Sequence, residues 1–216
     1  MIASLCLAAL ALRLPAVAQD GAMFGRTYKA GEKVTYSVSM GDARGSLTGD
    51  LVFEVQKVLQ DGRAEVVFHV DNLKDKSASG EGPKIVATGV TVTTAAHNLP
   101  AKYRWEQGTY NGLGFFVMVA GSTLDKRVRA GDQEVWTWAG ENVTLKGTTK
   151  ILSIDPGSKL LEARIQASGT YLRSIGFELD LKSTFSLTDG SLVEANGSWY
   201  QFNGDKTVAL TIKRKG

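Results

Sequence analysis

The segment GFELDLKSTFSLTDG, residues 176–190, alternates in chemistry from one residue to the next. Phe177, Leu179, Leu181, Phe185 and Leu187 fall on one side of an extended chain. Glu178, Asp180, Lys182, Thr184, Ser186 and Thr188 fall on the other. Successive side chains of a strand point to opposite faces, so this pattern fits a strand with one dry face and one wet face. A helix would scatter the same residues around its circumference. The pattern recurs along most of the chain. In VTYSVSM, Val34, Tyr36, Val38 and Met40 alternate with polar residues. Leu47, Leu51, Phe53, Val55 and Leu59 share a face, as do Ala64, Val66, Phe68 and Val70, and then Leu161, Ala163 and Ile165. Asp61-Gly62, Asp155-Pro156-Gly157, Asp189-Gly190 and Asn203-Gly204 stand between these runs. Such dipeptides supply the positive φ that tight hairpin turns require.

Long alternating strands joined by hairpins predict a mainly β fold with little helix. Its antiparallel sheet keeps one side wet. Some ten such strands must curl, split or close to cover the dry side, so the expected form is a half-barrel or open barrel. DNLKDKSASGEGPK reads as a polar loop, and residues 95–112 read as irregular, with breaks at Pro100, Gly108 and Gly112. GLGFFVMVAG is the most apolar window after the N-terminus and reads as either a core strand or a short buried helix.

Two entry phrases point to two similar halves. Lys29-Ala30-Gly31-Glu32 and Arg129-Ala130-Gly131-Asp132 lie 100 positions apart, and each opens a strand rich in aromatics. Trp136 and Trp138 then align with Tyr36 and Val38, while the following hairpins align only after a slip of a few residues. The expected organisation is a signal over 1–18 and a single β domain over 19–216. Within that domain the repeat covers 28–94 and 128–170, followed by a meander over 175–214.

The first residues, MIASLCLAALALRLPAVAQ, read as a secretory signal cleaved after Ala18. The apolar run is interrupted by Arg13 and is too short to span a bilayer. Cys6 is the sole cysteine and lies inside that signal, so the exported product has no disulfide and no thiolate. Its expected setting is the periplasm or the extracellular space, with stability drawn from its core. The balance of 25 Lys and Arg against 22 Asp and Glu, with no basic patch interleaved with aromatics, argues against nucleic-acid binding.

The motifs of common chemistries are missing. There is no Gly-x-Ser-x-Gly elbow, and SGEGPK lacks the spacing and the final Ser or Thr of a phosphate loop. His69 and His97 are the two histidines, 28 positions apart and without cysteine, which does not suit a zinc site. His69 shares a strand face with Glu65 and Asp71. Positions four apart are about 13 Å apart along a strand and positions two apart about 7 Å, so only Asp71 is a neighbour. A hydrolase built on His69 or His97 with dispersed acids stands as one alternative. No cofactor is expected.

Three pieces together resemble an uncharacterised group of exported bacterial all-β proteins. They are YKAGEKVTYSVSM, VRAGDQEVWTW and FSLTDGSLVEANGSW. Glu32 departs from the aspartate that the group prefers, and the likeness assigns no catalytic residue. More distantly, the inferred curled sheet is similar to the half-barrels of periplasmic lipoprotein carriers of the LolA/LolB type. That likeness implies an apolar concave face able to hold an acyl chain.

These readings favour a non-enzymatic exported envelope protein that binds a lipid or other apolar ligand, or an envelope protein partner. Tyr36, Val38, Phe53, Phe68, Phe115, Phe116, Trp136 and Trp138 are the candidate lining residues. The rival expectation is a structural or interaction domain whose own side chains fill the sheet's interior.

Overall fold

The structure is a computed structural model that describes residues 21–42, 45–77, 80–81, 90–94, 98–103, 111–139, 143–171, 175–201 and 206–216. The signal segment, His97, Trp105 and the Asn203-Gly204 turn lie outside the described residues, as does the side chain of Phe115.

A short β1 (Ala22–Phe24) precedes the long strands β2 (Lys33–Asp42), β3 (Gly45–Val58) and β4 (Ala64–Ser77). β5 (Gly80–Glu81), β6 (Val90–Thr94) and β7 (Pro100–Tyr103) follow, then α1 (Asn111–Ala120) and β8 (Lys126–Val128). The chain continues through β9 (Gln133–Ala139), β10 (Val143–Asp155), β11 (Leu160–Tyr171), β12 (Ile175–Ser186), β13 (Leu192–Gln201) and β14 (Lys206–Arg214).

The long strands form one sheet in the order β7-β6-β4-β3-β2-β14-β13-β12-β11-β10-β9, with β5 against β4. Every pairing is antiparallel. One meander runs outward from β2 and another runs back from β9. They join where β14 pairs with β2, for example Leu210 opposite Met40. The sheet is open, and its edges, β7 and β9, are linked through α1 and β8.

The alternation decides which face is dry. Phe177, Leu179, Leu181 and Phe185 of β12 are buried, as are Leu161, Ala163 and Ile165 of β11 and Tyr36, Val38 and Met40 of β2. The end of α1 packs against the dry side, where Phe116 meets Trp199 of β13. All nine residues 116–124 are buried in succession. Residues 116–120 are the second half of α1 and residues 121–124 the chain that leaves it. Unbroken burial requires protein on every side.

The two entry turns have the same hydrogen-bond geometry. In the first, Gly31 N donates to Val55 O at 2.8 Å, Val55 N to Glu32 O at 2.8 Å, and Glu32 N to Lys29 O at 3.0 Å. In the second, Gly131 N donates to Ile151 O at 2.9 Å, Ile151 N to Asp132 O at 2.8 Å, and Asp132 N to Arg129 O at 3.1 Å. Gly31 and Gly131 take φ of 77° and 93°, which a side chain would disfavour. In each half the register then shifts just past the bonded residue, between Val55 and Lys57 and between Ile151 and Ser153.

Two stretches differ from their sequence reading. Much of the polar segment after Val70 is strand, because β3 runs back to Gly45 and pairs Ser46 with Lys76 and Gly45 with Ser77. A long hairpin partner overrides the polar composition. Within the stretch read as irregular, β7 begins at Pro100. Proline, which lacks an N–H, is tolerated on an edge strand. The apolar window that read as strand or helix is helix.

Candidate functional site

The interior of the curl gathers most of the candidate lining residues. Tyr36 and Val38 enter from β2, Phe53 from β3, Phe68 from β4, Trp136 and Trp138 from β9, and Phe116 from α1. All seven are buried and belong to one core. They already serve as one another's packing partners. Phe53 and Phe68 stack with centroids 6.5 Å apart, and Phe116 lies 4.9 Å from Trp199. Trp136 Nε1 donates to Thr149 Oγ1 at 2.9 Å, which satisfies the indole within the core. Burial pushes the Tyr36 hydroxyl up to about 12, with Arg26 and Arg214 opposing the shift more weakly.

Among the described residues, the buried atoms Trp199 Nε1, Ser183 Oγ and Ser122 Oγ lack a hydrogen-bond partner. Ser183 sits among the apolar residues of β12 and is fully buried. The alternation places it on the dry side, in step with Leu181 and Phe185, where its hydroxyl is the chemical exception. Small side chains flank it across the sheet, Ala163 on β11 and Ala195 on β13.

α1 ends inside this compartment. Its last turn is closed by Gly121 N donating to Val117 O at 2.9 Å and Ser122 N to Val119 O at 3.1 Å. Asn98 Nδ2 donates to Gly121 O at 2.8 Å, satisfying one of the carbonyls a helix end leaves unbonded.

A polar cluster lies where residues 25–32 cross the β12–β13 turn. The Arg26 side chain, 6% exposed, pairs with Glu32 and lies 3.7 Å from Asp189 Oδ2. It also donates to Thr27 O at 2.6 Å and to Asp189 O at 3.2 Å, and it sits 4.8 Å over the Tyr28 ring. Arg214 donates to Ser191 Oγ at 2.9 Å, and Ser191 Oγ donates to Asp189 Oδ1 at 2.7 Å. Desolvation pushes the Asp189 carboxyl up, but the bonds from Ser191 and the charge of Arg26 together outweigh it and hold the group below its ordinary range. Arg26, Asn98, Asp189 and Arg214 are far apart in the chain, so no spacing could have revealed them together.

His69 and Asp71 meet on the outer face of the sheet, with Nε2 and Oδ2 3.4 Å apart. Asp50 is the cross-strand partner of Asp71, yet it is held by Lys215 at 2.6 Å and Asn72 at 3.0 Å. Among the described residues no hydroxyl bonds to His69, and no group of three or more His, Cys, Asp or Glu could hold a metal. A half-open recess of about 590 Å³ lies beside β1 and β8, lined by Gly21, Arg127, Arg129 and Asp132. Its guanidiniums suit an anion rather than a hydrocarbon. Among the described residues no helix is long and apolar enough to cross a membrane.

No family model and no curated protein matches this chain. Among solved structures it is similar to a candidate exported protein with a YmcC-like fold from Bacteroides fragilis. The identity is 12%, the match covers 90% of this chain and 100% of that chain, and the TM-score is 0.38. A likeness of that size carries no argument about fold or function, and the likeness to lipoprotein carriers is not among these findings.

Proposed function

We propose that the protein is an exported, non-enzymatic envelope protein that binds a long-chain lipid in the interior of its curled sheet, in the place that α1 fills. The observation that supports this reading is the unbroken burial of residues 116–124 inside an open sheet. α1 has no acidic residue in its first turn and no basic residue in its last. A helix of ten residues is marginal on its own, so apolar contact with the sheet holds it in place. A hydrocarbon chain offers the sheet the same kind of contact.

The exchange has a threshold. Phe116, Val117, Met118 and Val119 are buried, and each contributes roughly 1.5–3 kcal/mol, or about 6–12 kcal/mol together. A methylene contributes about 0.8 kcal/mol on burial, so a chain must bury roughly 8–15 methylenes to take the place of α1. Native mass spectrometry of the protein with fatty acids of six, ten and sixteen carbons tests this. Retention of the sixteen-carbon acid but not the six-carbon acid is expected. Equal retention of both, or of neither, would refute the reading.

The second reading is an interaction domain with a filled core. It is favoured by the aromatic contacts that the candidate residues already make with one another and by the hydrogen bond from Trp136 to Thr149. Failure to retain any acid in the same experiment would favour it.

A further inference from the structure

We infer that the N-terminal strap, residues 21–32, is a latch on α1, and that α1 leaves the interior only when the strap lets go. The inference rests on reading the interior as a binding compartment and concerns how that compartment is opened.

The strap holds both the end of α1 and the chain that leaves it. Phe24 O accepts from Leu124 N at 3.2 Å and from Asp125 N at 2.7 Å. β1 pairs with β8, so the strap is in register with the next stretch as well. The Phe24 ring meets Phe185 of β12 edge-on at 4.8 Å, which anchors the strap to the sheet. Farther along, the Tyr28 hydroxyl donates to Asn98 Oδ1, and Asn98 Nδ2 donates to Gly121 O. Asn98 therefore relays the strap to the last turn of α1.

The strap is itself fastened at its far end. Thr27 N donates to Asp189 O at 2.8 Å, and the Arg26 guanidinium joins Glu32 to the β12–β13 turn. Removing one partner of such a buried charge strands the other, so this anchor is the stiff part of the device. The bonds through Tyr28 and Asn98 are neutral, and they are the part that yields first.

The test is hydrogen–deuterium exchange on the full exported chain, comparing wild type with Tyr28→Phe and Asn98→Gly. Asn98 has φ of 59°, so glycine removes the side chain without straining the backbone. A hydrogen bond of ordinary strength predicts that amides of residues 117–122 exchange roughly two- to tenfold faster in either variant. Amides of β11 and β12 are expected to keep their wild-type rates. The double variant should add little to either single one, because both cut the same relay. Arg164→Met, which breaks an exposed pair with Asp180, serves as the control and should leave α1 unchanged.

Unchanged α1 exchange in both variants, or acceleration shared equally by the whole sheet, would overturn the latch. Uptake of the sixteen-carbon acid is measured on the same samples. Faster α1 exchange without uptake sustains the latch and removes the lipid. Uptake at wild-type rates with unchanged α1 exchange sustains the lipid and removes the latch.

Discussion

Gly147→Ala should weaken the fold far more than the addition of one methyl group suggests. Gly147 lies on β10, opposite Trp136 of β9 and Ala167 of β11. A Cβ at this position would come within 2.2 Å of Trp136 Cζ2 and within 2.4 Å of Cη2. These atoms belong to a rigid ring, so the whole indole must move. The ring is buried, and its Nε1 is bonded to Thr149 Oγ1, itself fully buried. Overpacking of this kind costs about 1–3 kcal/mol. If the ring shifts enough to break the Thr149 bond, the stranded donor adds about 1–3 kcal/mol more. A total of roughly 2–6 kcal/mol should lower the melting temperature by about 4–24 °C for a chain of this size. Thermal unfolding followed by far-ultraviolet circular dichroism measures the loss. Near-ultraviolet circular dichroism should show a changed tryptophan signal before the transition. A melting temperature within about 1 °C of wild type would refute the reasoning. Gly147 would then not be the seat of Trp136, and the indole would be loose enough to serve as a ligand platform.

Two further outcomes follow from the titrating groups. Tyr36 is raised by burial to about 12, so the folded protein keeps its phenolic proton after the unfolded chain has begun to lose it near 10. That stability is fully present below pH 10 and is lost as pH rises toward 12, a fall of about 3 kcal/mol on its own. Denaturant unfolding at pH 9 and pH 12 should show this loss in wild type and a shallower loss in Tyr36→Phe; identical slopes would remove Tyr36 as the cause. At the other end of the scale, the bonds from Lys215 and Asn72 hold the Asp50 carboxyl below its ordinary value. Its contribution is present above about pH 4 and is lost as pH falls through the lowered folded value. The stability gap between wild type and Asp50→Asn should therefore close on acidification, and a gap that stayed constant from pH 6 to pH 2 would contradict the assignment.

Local pattern carried much of the architecture. The alternation from Phe177 to Leu187 states both that β12 is extended and which of its faces is dry, because a strand's side-chain period depends only on its own backbone. Asp61-Gly62 and Asp189-Gly190 marked their turns for the same local reason, and Gly62 and Gly190 take φ of 83° and 68°. The doubled entry phrase marked two turns whose backbone hydrogen bonds correspond one for one. Seven of the eight candidate lining residues, all but Phe115, are buried in one core, but no periodicity says whether an interior is hollow or filled. That depends on where α1 goes, and α1 is placed by contacts such as Phe116 with Trp199, 83 positions away.

The strap and its fastening were illegible for a related reason. Arg26, Asn98, Asp189 and Arg214 carry ordinary polar side chains in loops or at a strand end, and each looks solvated in its own neighbourhood. They meet only in the fold, where Arg26 donates to Asp189 O, Arg214 to Ser191 beside it, and Asn98 bonds Tyr28 and Gly121. Ser183 is polar by chemistry yet in step with Leu181 and Phe185, so the strand period alone points it inward. Sequence by itself determined the extended segments, their turns and their dry faces, because these are set within a few residues by backbone geometry. Tertiary structure alone decided which strands meet, that the end of α1 and the chain leaving it are buried against the open sheet, and which polar groups are buried at the fastening. Those outcomes depend on contacts between segments far apart in the chain, from 83 positions for Phe116 and Trp199 to 163 for Arg26 and Asp189, whose closure no local pattern can specify.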